Sequence, residues 1–169
     1  MKTIEIAGDN YAGSWKNVRT ACRGIILQDG RMLLSYETLT GQYMLPGGGL
    51  EAEENEQQCC IREIAEETGL LVDPSECALE IDEYYEDWKW VNRYFFGRII
   101  GRAEIKLTER EKKAGMEPRW LPVDEIIEIF SRHALYRNTD EMRRGMYLRE
   151  YTALKELESR IRPAKISNA

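Results

Sequence analysis

One histidine, His133, stands in the whole chain. That scarcity leaves no strong argument for a histidine metal cluster or a cysteine–histidine nucleophile pair, and His133, just past a short helical segment, reads as a structural residue. Cysteine is sparse too: Cys22, Cys59, Cys60 and Cys77, two of them adjacent and none at zinc-ligand spacing. We read all four as reduced, small buried hydrophobes. No G-x4-G-K-[ST] run occurs, which removes the usual phosphate loop of NTPases. No apolar stretch approaches the roughly 18 residues of a membrane span. The opening "MKTIEIAGDN" has neither the basic start nor the apolar middle of a signal peptide. A cytoplasmic protein with no membrane partner is the expectation.

What is present is ordinary for a globular domain: 43% hydrophobic and 32% charged residues over 169 positions, so a single domain across 1–169 is expected. A formal charge of −6 and a pI near 5.1 speak against nucleic acid held by bulk electrostatics. The nearby Arg143, Arg144 and Arg149 read as a solvated helix face. "ACRGIILQDGRMLLSYE" reads as two strands around Asp29-Gly30, a hairpin signal, and "QYMLP" as a further strand. A helix follows from about Glu54 to Thr68, stopped by Gly69. "ALEIDEYYED" and "KWVNRYFFGRIIG" pair as strands, and "RWLPV" is a short strand before a helix from about Asp124 to Ser131. A long amphipathic helix covers roughly 139–160. Its Met142, Met146, Tyr147, Tyr151 and Leu154 suggest more apolar surface than one flank of a small sheet covers, hence a homodimer. The order β-β-β-α-β-β-β-α-α implies an α+β class, an α/β sandwich with helices on a mixed sheet.

The stretch "GGGLEAEENEQQCCIREIAEETGL" is the densest in chemistry. On a wheel, Ile61, Ile64, Ala65 and Thr68 form a stripe that can face the sheet, leaving Glu63, Glu66 and Glu67 on the opposite arc. Periodicity alone makes that arc a solvated acidic face. Three features argue for more. Gly47, Gly48 and Gly49 let the backbone turn tightly and approach a ligand. Arg62 can fix a carboxylate by a two-point contact. The clustered carboxylates raise one another's pKa unless a cation neutralises them, and hard oxygen donors in that number suit Mg²⁺ or Mn²⁺ with substrate phosphates completing the shell.

The same residues resemble the Nudix box, G-x5-E-x7-R-E-U-x-E-E-x-G-U, where U is a bulky aliphatic. Gly48, Glu54, Arg62, Glu63, Ile64, Glu66, Glu67, Gly69 and Leu70 agree at every specified position. A chance match in a chain of this length is expected on the order of 10⁻⁷ times at average residue usage. The surroundings resemble the family from about residue 18 to 131. The resemblance to these MutT-like hydrolases implies a mixed β-sheet between helices, with the box as loop-helix-loop. It implies metal-dependent cleavage of a nucleoside diphosphate linked to another moiety. It also implies roles: Glu66 and Glu67 as the firmest metal ligands, Glu63 as ligand or general base, and the Gly47 carbonyl as a further ligand. Arg62 would orient Glu63, and Glu54 would support the metal-water shell. A later loop can supply an additional base or ligand, with Glu111 and Glu117 the candidates.

Substrate signals are weaker. Tyr84, Tyr85, Trp88 and Trp90 read first as hairpin packing, with stacking on a nucleobase as the functional alternative. Arg93 and Arg98 differ in strand parity, so at most one faces a substrate. Pro74 lies too near the box for the proline that often accompanies ADP-ribose hydrolases in the family, and Tyr85 is near the tyrosine of dinucleoside polyphosphate enzymes. A nucleoside triphosphate ranks first as substrate, then a nucleotide-sugar or a dinucleoside polyphosphate. A non-catalytic nucleotide-binding module on the same fold is the alternative of another class, though such modules lose box carboxylates and none is missing here. Prenyl diphosphate isomerases share the fold, but Cys59 and Cys60 are no evident equivalent of their catalytic cysteine.

Overall fold

Ile25 and Ile26, Leu33 and Leu34, and Tyr94 and Phe95 are neighbours in sequence yet bury into opposite cores. Strand side chains alternate faces, so runs of consecutive apolar residues require a sheet covered on both sides. The computed structural model describes residues 2–162 and has that arrangement.

Nine strands form the sheet. β1 (Lys2–Ala7) runs parallel to β7 (Leu79–Tyr85), which pairs antiparallel with β8 (Trp88–Arg102). β8 in turn runs parallel to β2 (Asn17–Gln28), from Asn17 beside Trp88 to Ile26 beside Gly97. Beyond β2 lies β5 (Gly47–Gly49), an antiparallel strand of three glycines. β6 (Leu70–Pro74) pairs with the later half of β8. At its end β2 turns through Asp29-Gly30 into β3 (Arg31–Glu37), which is flanked by β4 (Gln42–Met44) and β9 (Met116–Pro122). Asp29 and Gly30 both have positive φ, 50° and 74°, the geometry of a two-residue hairpin loop.

α1 (Glu56–Thr68) covers one face with Cys59, Cys60 and Ile64, packing on Cys22, Ile26, Leu33 and Phe95. α3 (Val123–Ser131), α4 (Glu141–Glu156) and α5 (Glu158–Ile161) cover the other, where Ile126, Phe130, Tyr147 and Leu154 meet Ile25, Leu34 and Tyr94. A 3-10 turn, Arg132–Tyr136, links α3 to α4, and α2 (Glu109–Ala114) precedes β9. His133 lies in that turn, its ring centroid 6.0 Å from Tyr151.

The sequence expectations change in three places. Tyr147 and Leu154 lie in this chain's own core and Met146 and Tyr151 pack against it, leaving Met142 exposed, so these positions no longer argue for a homodimer. Arg149 is not solvated; it is 7% exposed and bonds Glu83 at 3.0 Å and Glu150 at 2.8 Å. Its charge made the position look external, whereas two buried carboxylates neutralise it inside. Finally, the glycines at 47–49 form a strand rather than a turn. The cysteines are free; Cys22, Cys59 and Cys60 are buried as expected, whereas Cys77 is only half-buried. Among the described residues no helix is long and apolar enough to cross a membrane.

Candidate active site

Asn55 starts the box helix. Its side chain accepts from the Gln58 backbone at 2.9 Å, while the Gln58 side chain accepts from the Asn55 N–H at 2.8 Å, a reciprocal cap. Glu54 therefore stands just outside the helix rather than at its first turn. Gly69, at φ 71°, closes the other end with its N–H on the Ala65 carbonyl.

Arg62 is the hub. It grips Glu54 at two points, 2.9 Å and 2.5 Å, and reaches Glu63 at 2.8 Å, Glu66 at 3.3 Å and the Gly49 carbonyl at 3.0 Å. The two-point contact expected for Glu63 thus falls on Glu54, with Glu63 held by one. Hydrogen bonding from Arg62 pulls the Glu54 carboxyl down to about 2, so Glu54 stays ionised as the counter-charge.

Glu67 overturns the wheel reading. The buried positions of α1 are Cys59, Cys60, Ile64, Glu67 and Thr68, while Ile61 and Ala65 are only half-buried. The two cysteines shift the buried stripe round the helix and carry Glu67 inward, 4% exposed. There its Oε2 accepts from Ser35 Oγ at 2.6 Å and from the Gly47 N–H at 3.1 Å. Burial pushes its carboxyl up to about 7, more than those two donors pull it down. Burial also raises Glu63, with Arg62 opposing and the charges of Glu66 and Glu111 adding. Ser35 was missed from sequence; its signal is a hydroxyl at the same strand parity as buried Leu33, on the face toward α1.

The glycines have a steric reason. A Cβ on Gly48 would overlap the Glu63 carboxylate, and one on Gly47, at φ 145°, would overlap the Cys22 carbonyl. Only bare backbone admits both Glu63 and β2 so closely.

The chain after β8 runs back along α1, with the Ala103 N–H on the Gly69 carbonyl and the Lys106 N–H on the Glu66 carbonyl. That path brings α2 to the box, where the Glu111 charge raises both Glu63 and Glu67. Glu117 instead sits on β9, ion-paired with exposed Arg119 at 2.6 Å. Of the two later glutamates, Glu111 is the one whose charge acts on Glu63 and Glu67. Arg93 pairs with Glu80 and Glu56, and Arg98 with Asp73, so both are occupied. Tyr85 is packed in place: a Cβ on Gly8 or Gly145 would collide with its ring or hydroxyl.

The donor set suits a hard divalent cation. Glu63, Glu66, Glu67 and Glu111 gather negative charge with Arg62 as the cation among them, and burial raises the carboxyls of Glu63 and Glu67, the charge of Glu111 adding to both. Among the described residues no three acidic groups already share a ligating arrangement. Glu63 and Glu66 turn toward Arg62, and Glu67 toward Ser35 and Gly47.

A profile of the NUDIX domain matches residues 18–143. A MutT-like protein of Streptomyces ambofaciens is 30% identical over 104 residues, 62% of this chain and 63% of that protein, so the chain spans less than two thirds of that relative. An RNA pyrophosphohydrolase of Sphingopyxis alaskensis is 29% identical over 146 residues, covering 71% of this chain and 89% of the relative. Among solved structures, a NUDIX hydrolase from Nitrosomonas europaea superposes with a TM-score of 0.56 at 24% identity, over 82% of this chain and 90% of that one. At that identity the likeness speaks for the fold.

Proposed function

The chain belongs to the Nudix hydrolase family, and we propose that it uses Mg²⁺ or Mn²⁺ to cleave the pyrophosphate bond of a nucleoside diphosphate linked to another moiety, with a nucleoside triphosphate as substrate. The observation that carries this reading is the gathering of carboxylates at the glycine strand: Glu63 and Glu66 held by Arg62, Glu67 buried against the Gly47 N–H, and the Glu111 charge acting on both Glu63 and Glu67. A cation bound there supplies charge shielding for the phosphates and a more acidic attacking water.

In this proposal Glu66, Glu67 and the Gly47 carbonyl hold the ion. Glu63 takes the proton of the attacking water at Oε2, the oxygen that Arg62 does not engage. Arg62 fixes Glu63, and Glu54 holds Arg62 in turn. Gly47 to Gly49 let the phosphates pass close to the backbone. Water adds across the anhydride, and a triphosphate leaves as monophosphate and pyrophosphate.

The test is a hydrolysis screen with and without divalent metal. The panel comprises nucleoside triphosphates, nucleotide-sugars, dinucleoside polyphosphates and a short 5′-triphosphorylated RNA, the last because one relative carries the name RNA pyrophosphohydrolase. Metal-dependent turnover of at least one compound is expected, with Glu67→Gln slowing it about 10²–10³-fold. Tight nucleotide binding without any turnover would replace the enzyme by a binding module.

A further inference from the structure

β5 is the outer strand beside β2. Its box side, below Gly48, carries Glu63. Its other side borders a different set of residues. Gly49 is in register with Ala21, Ala21 with Asn92, and Arg19 with Trp90. A Cβ on Gly49 would lie 2.8 Å from an Arg19 nitrogen, so the guanidinium rests directly against the glycine strand. Its carbon is 5.8 Å from the centre of the Trp90 ring. Trp88, two residues along the same face, stacks on Trp90 with centroids 5.1 Å apart and planes at 22°.

These residues are not explained by packing. Trp88 and Trp90 are half-buried and contribute to neither core. Arg19 is exposed and has no hydrogen bond or ion pair among the described residues, in a chain of net charge −6. Another aromatic platform, Tyr36 and Tyr43 under Arg119, has its arginine neutralised by Glu117 and lies on β3 and β4. Tyr84, the neighbour of Tyr85, is engaged by Tyr11 and Glu5.

We propose that Trp90, backed by Trp88 and faced by Arg19, holds the nucleobase of the substrate whose phosphates lie against the glycine strand; this deepens, and rests on, the nucleotide-hydrolase reading above. Aromatic faces and guanidinium planes both stack on any base, so the site selects for a base without choosing among them. Two strand spacings, about 10 Å, separate β5 from β8, a distance a nucleoside bridges between base and phosphates. Arg19, with no hydrogen bond or ion pair among the described residues to give up, exchanges its contact with the Trp90 ring for one with the outer face of the base. Hydrolysis therefore requires nothing of these residues, and their contribution is to KM.

The experiment compares a non-hydrolysable nucleoside triphosphate analogue with inorganic tripolyphosphate, both with Mg²⁺, by tryptophan emission and by calorimetry. Wild-type emission should be quenched by the nucleotide and not by tripolyphosphate. Trp90→Leu should weaken nucleotide binding about ten-fold and leave tripolyphosphate affinity unchanged, with Trp90→Phe restoring most of the loss. Arg19→Gln, at an exposed position that cannot unfold the chain, should weaken the nucleotide about three-fold. Against a hydrolysed substrate, both variants should raise KM and keep kcat within two-fold, roughly. Equal losses for nucleotide and tripolyphosphate, unchanged nucleotide binding in both variants, or no nucleotide binding by the wild type would overturn the proposal. Trp90-dependent binding without any turnover would overturn the hydrolase reading alone.

Discussion

Glu67 has a carboxyl raised from 4.5 to about 7 by burial, against the pull of Ser35 and the Gly47 N–H. Folding then binds a proton that the unfolded chain releases between pH 4.5 and 7. The native state holds more protons than the unfolded state in that window, so stability falls as pH rises through it. Without metal, the ionised form should cost about 3 kcal/mol at pH 8. Urea unfolding in EDTA should show Glu67→Gln more stable than wild type at pH 8 and equal to it at pH 4.5. Addition of Mg²⁺ should narrow the pH 8 gap by binding the wild-type carboxylate. Gly48→Ala makes a steric test of the same place, since its Cβ would overlap the Glu63 carboxylate. Turnover should drop at least about ten-fold through misplaced Glu63, while far-UV circular dichroism stays native. Burial of Glu67 was illegible in the sequence because a wheel has no absolute phase. Charge was taken to face out, whereas Cys59 and Cys60 set which side went in.

Among elements, the box helix depends on its first residue. Asn55→Ala removes the acceptor for the Gln58 N–H and half of the reciprocal cap. A loss of about 1 kcal/mol is expected, read as a lower Tm. Legibility followed local signals. The β2–β3 hairpin could be read because Asp29-Gly30 accepts positive φ at both positions, and α1 because its cap and Gly69 bracket a periodic run. α2, "EREKKA", has no buried residue and so no periodicity to find, though it carries Glu111 to the site. β5 has no side chains at all, and only its pairing with Ala21, Cys22 and Arg23 makes it a strand. β1 has two half-buried isoleucines and a partner far along the chain, which no local pattern reveals.

At the scale of the whole molecule, a ring of polar side chains joins sheet to helix. Arg149 bonds Glu83 and Glu150, Glu83 accepts from Asn92, Asn92 accepts from Arg23, and Arg23 closes on Glu150 at 3.7 Å. Glu150 also accepts from Tyr94. The two arginines balance the two glutamates. Arg149→Met would leave the pair of buried carboxylates with one positive partner, costing about 3–5 kcal/mol. Calorimetric melting should show that loss, and Arg149→Met with Glu83→Gln should recover part of it. The sandwich class was legible in the order of strands and helices along the chain. This ring was not, since its members at 23, 83, 92, 149 and 150 look like solvated polar or charged positions one at a time.

The same ring sets an order of events during synthesis. Arg23, Glu83 and Asn92 leave the ribosome well before Arg149 and Glu150, and at about 5–20 residues per second the wait is several seconds. β1 likewise waits for β7, with Lys2 facing Leu79. Until α4 arrives, the nascent sheet presents Glu83 without its arginine and an apolar face without its cover. The emerging domain is therefore most exposed to proteases and chaperones just before α4 appears, and that helix is the one that ends the exposure.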